Sequence, residues 1–101
     1  MSRIELDAES TRVIATVFQN KIKQKIVKLL LDEKKPIYHN QICKRVGGSK
    51  STVHRHLVEL INARILIPEP GYKSSKKKKL VELYSVNKEY LSLLQSCKTL
   101  L

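Results

Sequence analysis

Apolar side chains recur every three or four residues along most of this chain, which is the spacing of amphipathic helices. The pattern predicts five helices, over residues 7–18, 21–33, 39–46, 50–63 and 88–101. The β-branched residues of the first segment also allow a strand there. Asn20, Ser49 and Asn87 stand where side-chain caps are expected for the second, fourth and fifth helices.

Between the fourth and fifth helices the pattern changes to two extended segments. Residues 65–70 are rich in β-branched side chains and include Pro68 and Pro70, which exclude a central position in a sheet. Residues 80–86 alternate well enough to predict a returning strand. The two segments therefore predict a β-hairpin, and Ile37–Tyr38 predicts one more short extended piece.

The stretch Gly47–Leu57 has the pattern of a turn followed by a helix with two chemically different sides. The two glycines allow the chain to reverse sharply. The inner side of the helix is apolar and consists of Val53, Leu57, Leu60 and Ile61. The outer side carries hydroxyl and charged groups, namely Ser51, Thr52, Arg55 and Glu59. With the short helix before it, this unit is a helix-turn-helix, and its outer groups are of the kind that read base edges and bind phosphates.

The formal net charge of +11 is concentrated on that unit and the segment after it. Residues 1–33 carry a net +1, residues 34–64 a net +6, residues 65–88 a net +4 and the last thirteen residues zero. A surface that binds a polyanion clusters its charge in this way, whereas charge that serves solubility is spread more evenly. Nucleic acid is favoured over an anionic membrane, because the chain has no basic amphipathic helix with aromatic anchors.

Two segments supply the candidate DNA contacts. The helix contributes Ser49, Lys50, Ser51, Thr52, His54 and Arg55. The loop of the hairpin contributes Lys73, Lys76, Lys77, Lys78 and Lys79. Arg55 is the candidate for the contact that sets specificity, and the consecutive lysines are expected to neutralise phosphates without reading sequence. A basic hairpin next to a reading helix is called a wing. For Glu59, a tether to a basic neighbour and simple solvation are equally open.

Catalytic, metal and membrane classes find no support in the sequence. It contains no Ser/His/Asp grouping, phosphate-binding loop or paired buried carboxylate, so no enzyme and no cofactor are expected. His54 and His56 are two residues apart and fall on different faces of a helix, where they cannot easily share a metal. No apolar run approaches the roughly 20 residues that cross a bilayer. The mixed N-terminus is not a secretion signal, so a cytoplasmic location is expected.

Three smaller features have plain structural interpretations. Cys43 and Cys97 lack metal-ligand spacing and are expected as small core or interface residues. A disulfide between subunits through Cys97 stays open. Glu5, Asp7 and Glu9 suggest a metal-dependent nuclease, but electrostatic stabilisation of a helix start is favoured.

The last helix has an apolar face too broad for one neighbour. Packing on the first helix covers part of it, and a second copy of the chain is expected to cover the rest. The expected dimer interface therefore comprises Val13, Val17, Tyr90, Leu93, Leu94, Cys97, Leu100 and Leu101.

Three segments resemble parts of the ArsR-like winged-helix regulators. Lys21–Leu30 resembles the opening core helix of that family, Ser49–Leu60 resembles its recognition helix, and Leu83–Asn87 resembles the strand after its wing. The resemblance covers about residues 7–101. It implies a dimeric transcriptional regulator on a pseudo-palindromic operator. Metal-sensing members carry a cysteine pair before the turn or His/Asp ligands on the terminal helix; only Cys43 is present here, so metal sensing is not expected. The lysine-rich composition is typical of archaeal and archaeal-virus proteins.

The sequence thus predicts one winged-helix domain over residues 1–101, mainly α with a small β-hairpin. The helix-turn-helix is expected at about 39–63, the wing at 65–86 and dimerisation helices at 7–18 and 88–101. The predicted function is a homodimeric, sequence-specific regulator bound to double-stranded DNA. The alternatives are a nonspecific DNA-coating protein and a winged helix that binds RNA or protein. A small-molecule effector stays open.

Overall fold

The computed structural model describes residues 7–33, 35–72 and 80–101. Its elements are α1 (Ala8–Phe18), α2 (Lys21–Glu33), β1 (Ile37–Tyr38), α3 (His39–Val46), α4 (Lys50–Asn62), β2 (Leu66–Tyr72), β3 (Leu80–Val86), α5 (Lys88–Ser96) and a 3-10 turn (Lys98–Leu100). The predicted fold class is confirmed: the chain is mainly helical with a small antiparallel sheet, in a winged helix-turn-helix arrangement. Within the described ranges, no helix combines the length and apolar character needed to span a membrane.

Side-chain caps set the starts of four helices. Each cap oxygen accepts a hydrogen bond from a backbone N–H two or three residues further on, and the caps are Asp7, Asn20, Ser49 and Asn87. The oxygen–nitrogen distances are 2.7 Å at α1 and α2, 3.2 Å at α4 and 3.0 Å at α5. Hydrogen bonds from Ser10 lower the pKa of Asp7. The helix-start interpretation is therefore confirmed for Asp7, while Glu5 lies outside the described residues.

The sheet has the order β1-β3-β2, and both pairs of neighbours are antiparallel. Ile37 in β1 pairs with Tyr84, and β2 pairs with β3 from Leu66 opposite Val86 to Tyr72 opposite Leu80. The two prolines lie in β2, which is an edge strand as their missing N–H groups require. Burial raises the pKa of Tyr84 in the central strand to about 12.

One apolar core joins the helices to the sheet. The largest side chains with almost no exposed surface are Ile26, Leu31, Ile42, Leu57, Leu60, Ile65, Leu66 and Leu94. Three of them belong to α4 or the turn directly after it. The inner side of this helix is therefore an integral part of the core, which fixes the opposite side as the one that meets solvent.

The prediction of one helix through residue 101 is wrong. The α-helix ends at Ser96, and Cys97 has φ −96° and ψ 0°. From there the hydrogen bonds span three residues, beginning with Cys97 N–H to Leu94 O at 3.1 Å, so the chain tightens into the 3-10 turn. An ion pair between Lys98 Nζ and an Asp32 oxygen at 2.5 Å ties this turn to α2, and it lowers the pKa of Asp32.

The end of α4 is a Schellman motif with an unusual residue in it. The amide of Ile65 donates to Leu60 O at 3.0 Å and that of Arg64 donates to Ile61 O at 2.9 Å. This geometry holds Arg64 at φ 64°, in the left-handed region that glycine usually occupies. The amide group of Asn87 donates to Arg64 O at 2.8 Å and so holds the strained residue in place.

Replacing Arg64 with glycine should therefore stabilise the fold. The left-handed conformation costs a non-glycine residue about 1–2 kcal/mol, and the extra flexibility of glycine in the unfolded chain offsets part of that gain. We expect Arg64→Gly to raise the free energy of unfolding by about 0.5–1 kcal/mol in urea denaturation. Arg64→Ala keeps the strain and serves as the control. A gain of the same size in both variants would contradict the strain argument.

Candidate nucleic-acid interface

A tight turn delivers the start of α4 to the surface. Gly47 adopts φ 82°, and its N–H closes α3 by donating to Cys43 O at 2.9 Å. Gly48 packs directly against α4, since a β-carbon there would lie 3.0 Å from Val53 Cγ2. The turn therefore needs a glycine at position 47 for its backbone angle, and a glycine at position 48 avoids a tight contact with Val53.

The six candidate contact residues of the helix lie together on its uncovered side. This recognition face consists of Ser49, Lys50, Ser51, Thr52, His54 and Arg55, all exposed except Thr52, which is half-buried. The Ser49 hydroxyl caps the helix and also donates to Thr52 Oγ1 at 2.8 Å. These hydroxyls are therefore held in place beside the positive end of the helix dipole. The loop lysines Lys73, Lys76, Lys77, Lys78 and Lys79 lie outside the described residues.

A histidine of α3 borders the recognition face, which the sequence pattern did not indicate. The ring of His39 packs edge-on against that of His54, with 5.8 Å between the centroids. Its Nε2 lies 3.3 Å from the buried Cys43 Sγ. Across the described part of the chain, no group of three or more His, Cys, Asp or Glu side chains is arranged to hold a metal ion. His39 thus contacts His54 from the preceding helix.

A polar cluster joins α4 to α2 and to the end of α1. It consists of Gln19, Lys23, His56 and Glu59, and we call it the inner polar cluster. Lys23 is only 2% exposed; its Nζ donates to Gln19 Oε1 at 2.9 Å and forms an ion pair with the Glu59 carboxylate. The hydrogen bond that Lys23 donates to Glu59 lowers the pKa of that carboxyl group. Of the two interpretations left open for Glu59, the tether is the one found.

Sequence reasoning missed Lys23 although the signal was present. Apolar residues follow it at positions three, four and seven further on, at Ile26, Val27 and Leu30, so the spacing places Lys23 on the apolar face of α2. All three of these neighbours are buried. A lysine in such a position needs an acidic or polar partner on a facing element.

His56 borders the core. Its ring is buried, with 5% of the residue exposed, and its Nδ1 has no hydrogen-bond partner among the residues that the structure describes. Burial lowers the pKa of His56, and the neighbouring Lys23 charge lowers it further. His56 is therefore a neutral side chain at neutral pH.

Four of the eight residues expected at a dimer interface are already covered within the single chain. Val13 and Val17 have no exposed surface, and Tyr90 and Leu94 are 5% and 1% exposed. The reason is that α1 and α5 pack on each other: the Tyr90 hydroxyl donates to the Glu9 carboxylate. These four residues present no surface to a second copy. Of the other four, Leu93, Cys97 and Leu101 are half-buried and Leu100 is exposed.

Comparisons with known proteins agree with this geometry. Residues 20–67, from just before α2 into β2, match the family described as "Bacterial regulatory protein, arsR family". The crystal structure of RV1404 from Mycobacterium tuberculosis has the same fold, with a TM-score of 0.58 and 22% sequence identity. The match covers 87% of this chain and 58% of that one, so this chain spans little more than half of its length. No curated protein matches. Nothing in these comparisons supports an archaeal or viral origin.

Acidification should destabilise the fold through His56. An unfolded histidine takes up a proton below about pH 6.5, whereas the folded protein resists it, so the free energy of unfolding should fall as the pH drops below that value. The pKa values of Glu59 and Asp7 are lowered from 4.5 and 3.8. Their contributions to the free energy of unfolding are therefore lost only at more acidic pH, where the folded carboxylates take up protons.

Urea denaturation between about pH 7.5 and pH 5 measures this slope. His56→Leu should remove most of it, because the titrating ring is replaced by an apolar side chain. His54→Gln removes a histidine from the exposed side of the same helix and should keep the slope. If His56→Leu retains the full slope, the assignment to His56 is wrong.

Proposed function

Since residues 20–67 carry a helix-turn-helix domain of the arsR family, we propose that the protein is a sequence-specific, double-stranded DNA-binding transcriptional regulator that acts as a homodimer. The recognition face of α4 enters the major groove, and the wing lysines follow the phosphate backbone. The protein binds and does not catalyse. Gene control by such a protein requires no cofactor.

The observation that carries the proposal is the exposure of the recognition face. Hydroxyl, imidazole, ammonium and guanidinium groups share one uncovered side of α4, while the opposite side lies in the core. Groups of this kind bind phosphates and base edges. The concentration of positive charge on residues 34–88 supports a polyanion as the partner.

Each part of the face has a distinct role in this proposal. Arg55 projects from the middle of the helix and makes a base or phosphate contact that sets specificity. Ser51 and Thr52 lie in the first turn, where backbone N–H groups and hydroxyls bind a phosphate or approach base edges. Lys50 and His54 flank them and add charge or hydrogen bonds to the backbone.

The wing supplies affinity rather than selectivity. The β2–β3 hairpin carries Lys73 and the run Lys76–Lys79 in its loop. Each lysine that neutralises a phosphate releases counterions and contributes a slope near −0.9 to the salt dependence of binding. Electrostatic contact of this kind carries little information about base sequence.

The dimer forms through the side of the terminal helix that the subunit leaves uncovered. Leu100 in the 3-10 turn is 71% exposed, and the neighbouring Cys97 and Leu101 are half-buried, as is Leu93 of α5. Leu91 is 39% exposed and adds apolar surface elsewhere on α5. Cys97 is a free thiol in the single chain, so a disulfide across the two-fold axis is compatible with this arrangement.

Selection of bound fragments from random duplex DNA at physiological salt tests the proposal. Two symmetric recognition helices should enrich a pseudo-palindrome with half-sites about 34 Å apart, one turn of the duplex. Binding without enrichment would favour a nonspecific DNA-coating protein. Preference for structured RNA over duplex DNA in competition would favour an RNA-binding winged helix, and no binding to either would favour a protein partner.

Loss of the Arg55 guanidinium should cost both affinity and selectivity. We expect Arg55→Ala to weaken binding to the selected duplex by about 1–3 kcal/mol and to relax the preference at one position. Lys25→Ala removes one positive charge from the exposed side of α2 and is the matched control. Equal losses in both variants on all duplexes would mean that Arg55 contributes only charge.

Loss of the wing lysines should lower affinity without changing sequence selectivity. Changing Lys76, Lys77, Lys78 and Lys79 to alanine should weaken binding to all duplexes alike and flatten the plot of log affinity against log salt concentration. A control with Lys21, Lys25 and Lys28 changed to alanine alters the charge by a similar amount on α2. Unchanged affinity for random duplex in the wing variant would disprove the assignment.

A further inference from the structure

The contact between Lys23 and Glu59 links α2 to the recognition helix across 36 positions of sequence. Lys23 is buried, and its side chain is 3% exposed, while that of Glu59 is 45% exposed. Gln19 accepts a second hydrogen bond from the same ammonium group at 2.9 Å. The lysine is therefore anchored at the end of α1 as well as on α4.

Both partners occupy positions that are unfavourable for stability alone. A buried ammonium group loses its hydration, and an apolar side chain of similar volume often serves stability equally well. Glu59 lies in the last turn of α4, where the helix dipole disfavours a negative charge. On a helix that approaches DNA, its carboxylate is also repelled by phosphates. Two such residues that meet each other call for a role other than stability.

Apolar packing fixes which side of α4 faces the core, because Val53, Leu57 and Leu60 are fully buried there. Apolar contacts are non-directional, so a directional contact can set the rotation of that side more narrowly than burial alone. The buried His56 does not restrain the rotation of α4 through a hydrogen bond at its Nδ1, which has no partner among the described residues. The hydrogen bond from Lys23, by contrast, has one favourable distance and direction. It can fix the rotation of α4 about its axis.

We propose that Lys23 is a positioning residue that acts through Glu59 to set the rotation of the recognition helix and thereby the sequence selectivity of DNA binding. The proposal rests on the function proposed above, and it assigns to a buried residue of α2 a part in reading DNA. Side-chain ends lie about 6 Å from a helix axis, so a rotation of 20° moves them by about 2 Å. Such a shift breaks hydrogen bonds to base edges but leaves long, flexible lysines able to reach phosphates.

The test replaces Lys23 with methionine, which keeps the length of the side chain and removes the charge. Glu59 is half exposed and can be hydrated when its partner is lost, so the fold should survive. Lys25→Met makes the same chemical change on the exposed side of α2, away from the buried contact. Affinities for the selected duplex and for a scrambled duplex are compared at one salt concentration.

We expect the ratio of specific to scrambled affinity to fall about tenfold or more in Lys23→Met, the cost of misreading one base pair. Affinity for the scrambled duplex should match that of Lys25→Met. Replacing a residue that is needed only for stability would change the melting temperature. The ratio of specific to scrambled affinity, measured on the folded protein, would stay the same. An unchanged ratio therefore overturns the proposal.

A second measurement needs no DNA and separates this inference from the proposed function. Ser51 lies eight residues before Glu59, about 12 Å along the helix. A rotation of α4 should move the backbone amide resonances of Ser51–Arg55 in Lys23→Met, whereas a local effect should stop near residues 56–60. Shifts confined to those residues and α2 overturn the proposal even if the protein binds no DNA selectively.

Glu59→Gln covers the case in which Lys23→Met does not fold. Its amide oxygen still accepts a hydrogen bond from Lys23, but the charge is lost. We expect the selectivity ratio to fall to a value between those of the wild type and an unselective binder, with smaller shifts at Ser51–Arg55. A wild-type ratio of specific to scrambled affinity, together with wild-type resonances at Ser51–Arg55, would overturn the proposal.

Discussion

Burial of the inner side of α4 is the interaction on which the rest of the structure depends. Val53, Leu57 and Leu60 have no exposed surface, and α2 and the sheet lie around them. Because these side chains occupy the core, the opposite side of the helix is the one that meets solvent, and the six residues of the recognition face lie there. The same packing explains the turn: a β-carbon at Gly48 would lie only 3.0 Å from Val53 Cγ2, so Val53 would have to shift to admit it.

Much of this arrangement was predictable because local chemistry determines it. Helices α2 and α3 have the expected bounds, α1 and α4 differ by one residue, and the caps Asn20, Ser49 and Asn87 act as expected. The proline-bearing strand lies at an edge because proline cannot donate to a neighbour. Each of these features follows from a few consecutive residues.

The features that sequence reasoning missed depend on residues far apart in the chain. Whether Val13 and Val17 face a second copy or the subunit's own core depends on how α1 packs against α5, which no local pattern specifies. The Lys23–Glu59 pair spans 36 positions: helical spacing places Lys23 on the apolar face of α2, but it does not indicate which residue of another element is its partner. The early end of α5 at Ser96 likewise accompanies a contact between the 3-10 turn and α2.

The edge strand β2 limits how copies of this chain can associate. An exposed strand normally offers unpaired N–H groups on which another chain can form a further strand, and this is a common start of aggregation. Pro68 and Pro70 have no N–H group, which interrupts that ladder in the middle of β2. The opposite edge, β1, is only two residues long. The proline-bearing margin of the sheet is thus a poor template for a foreign strand.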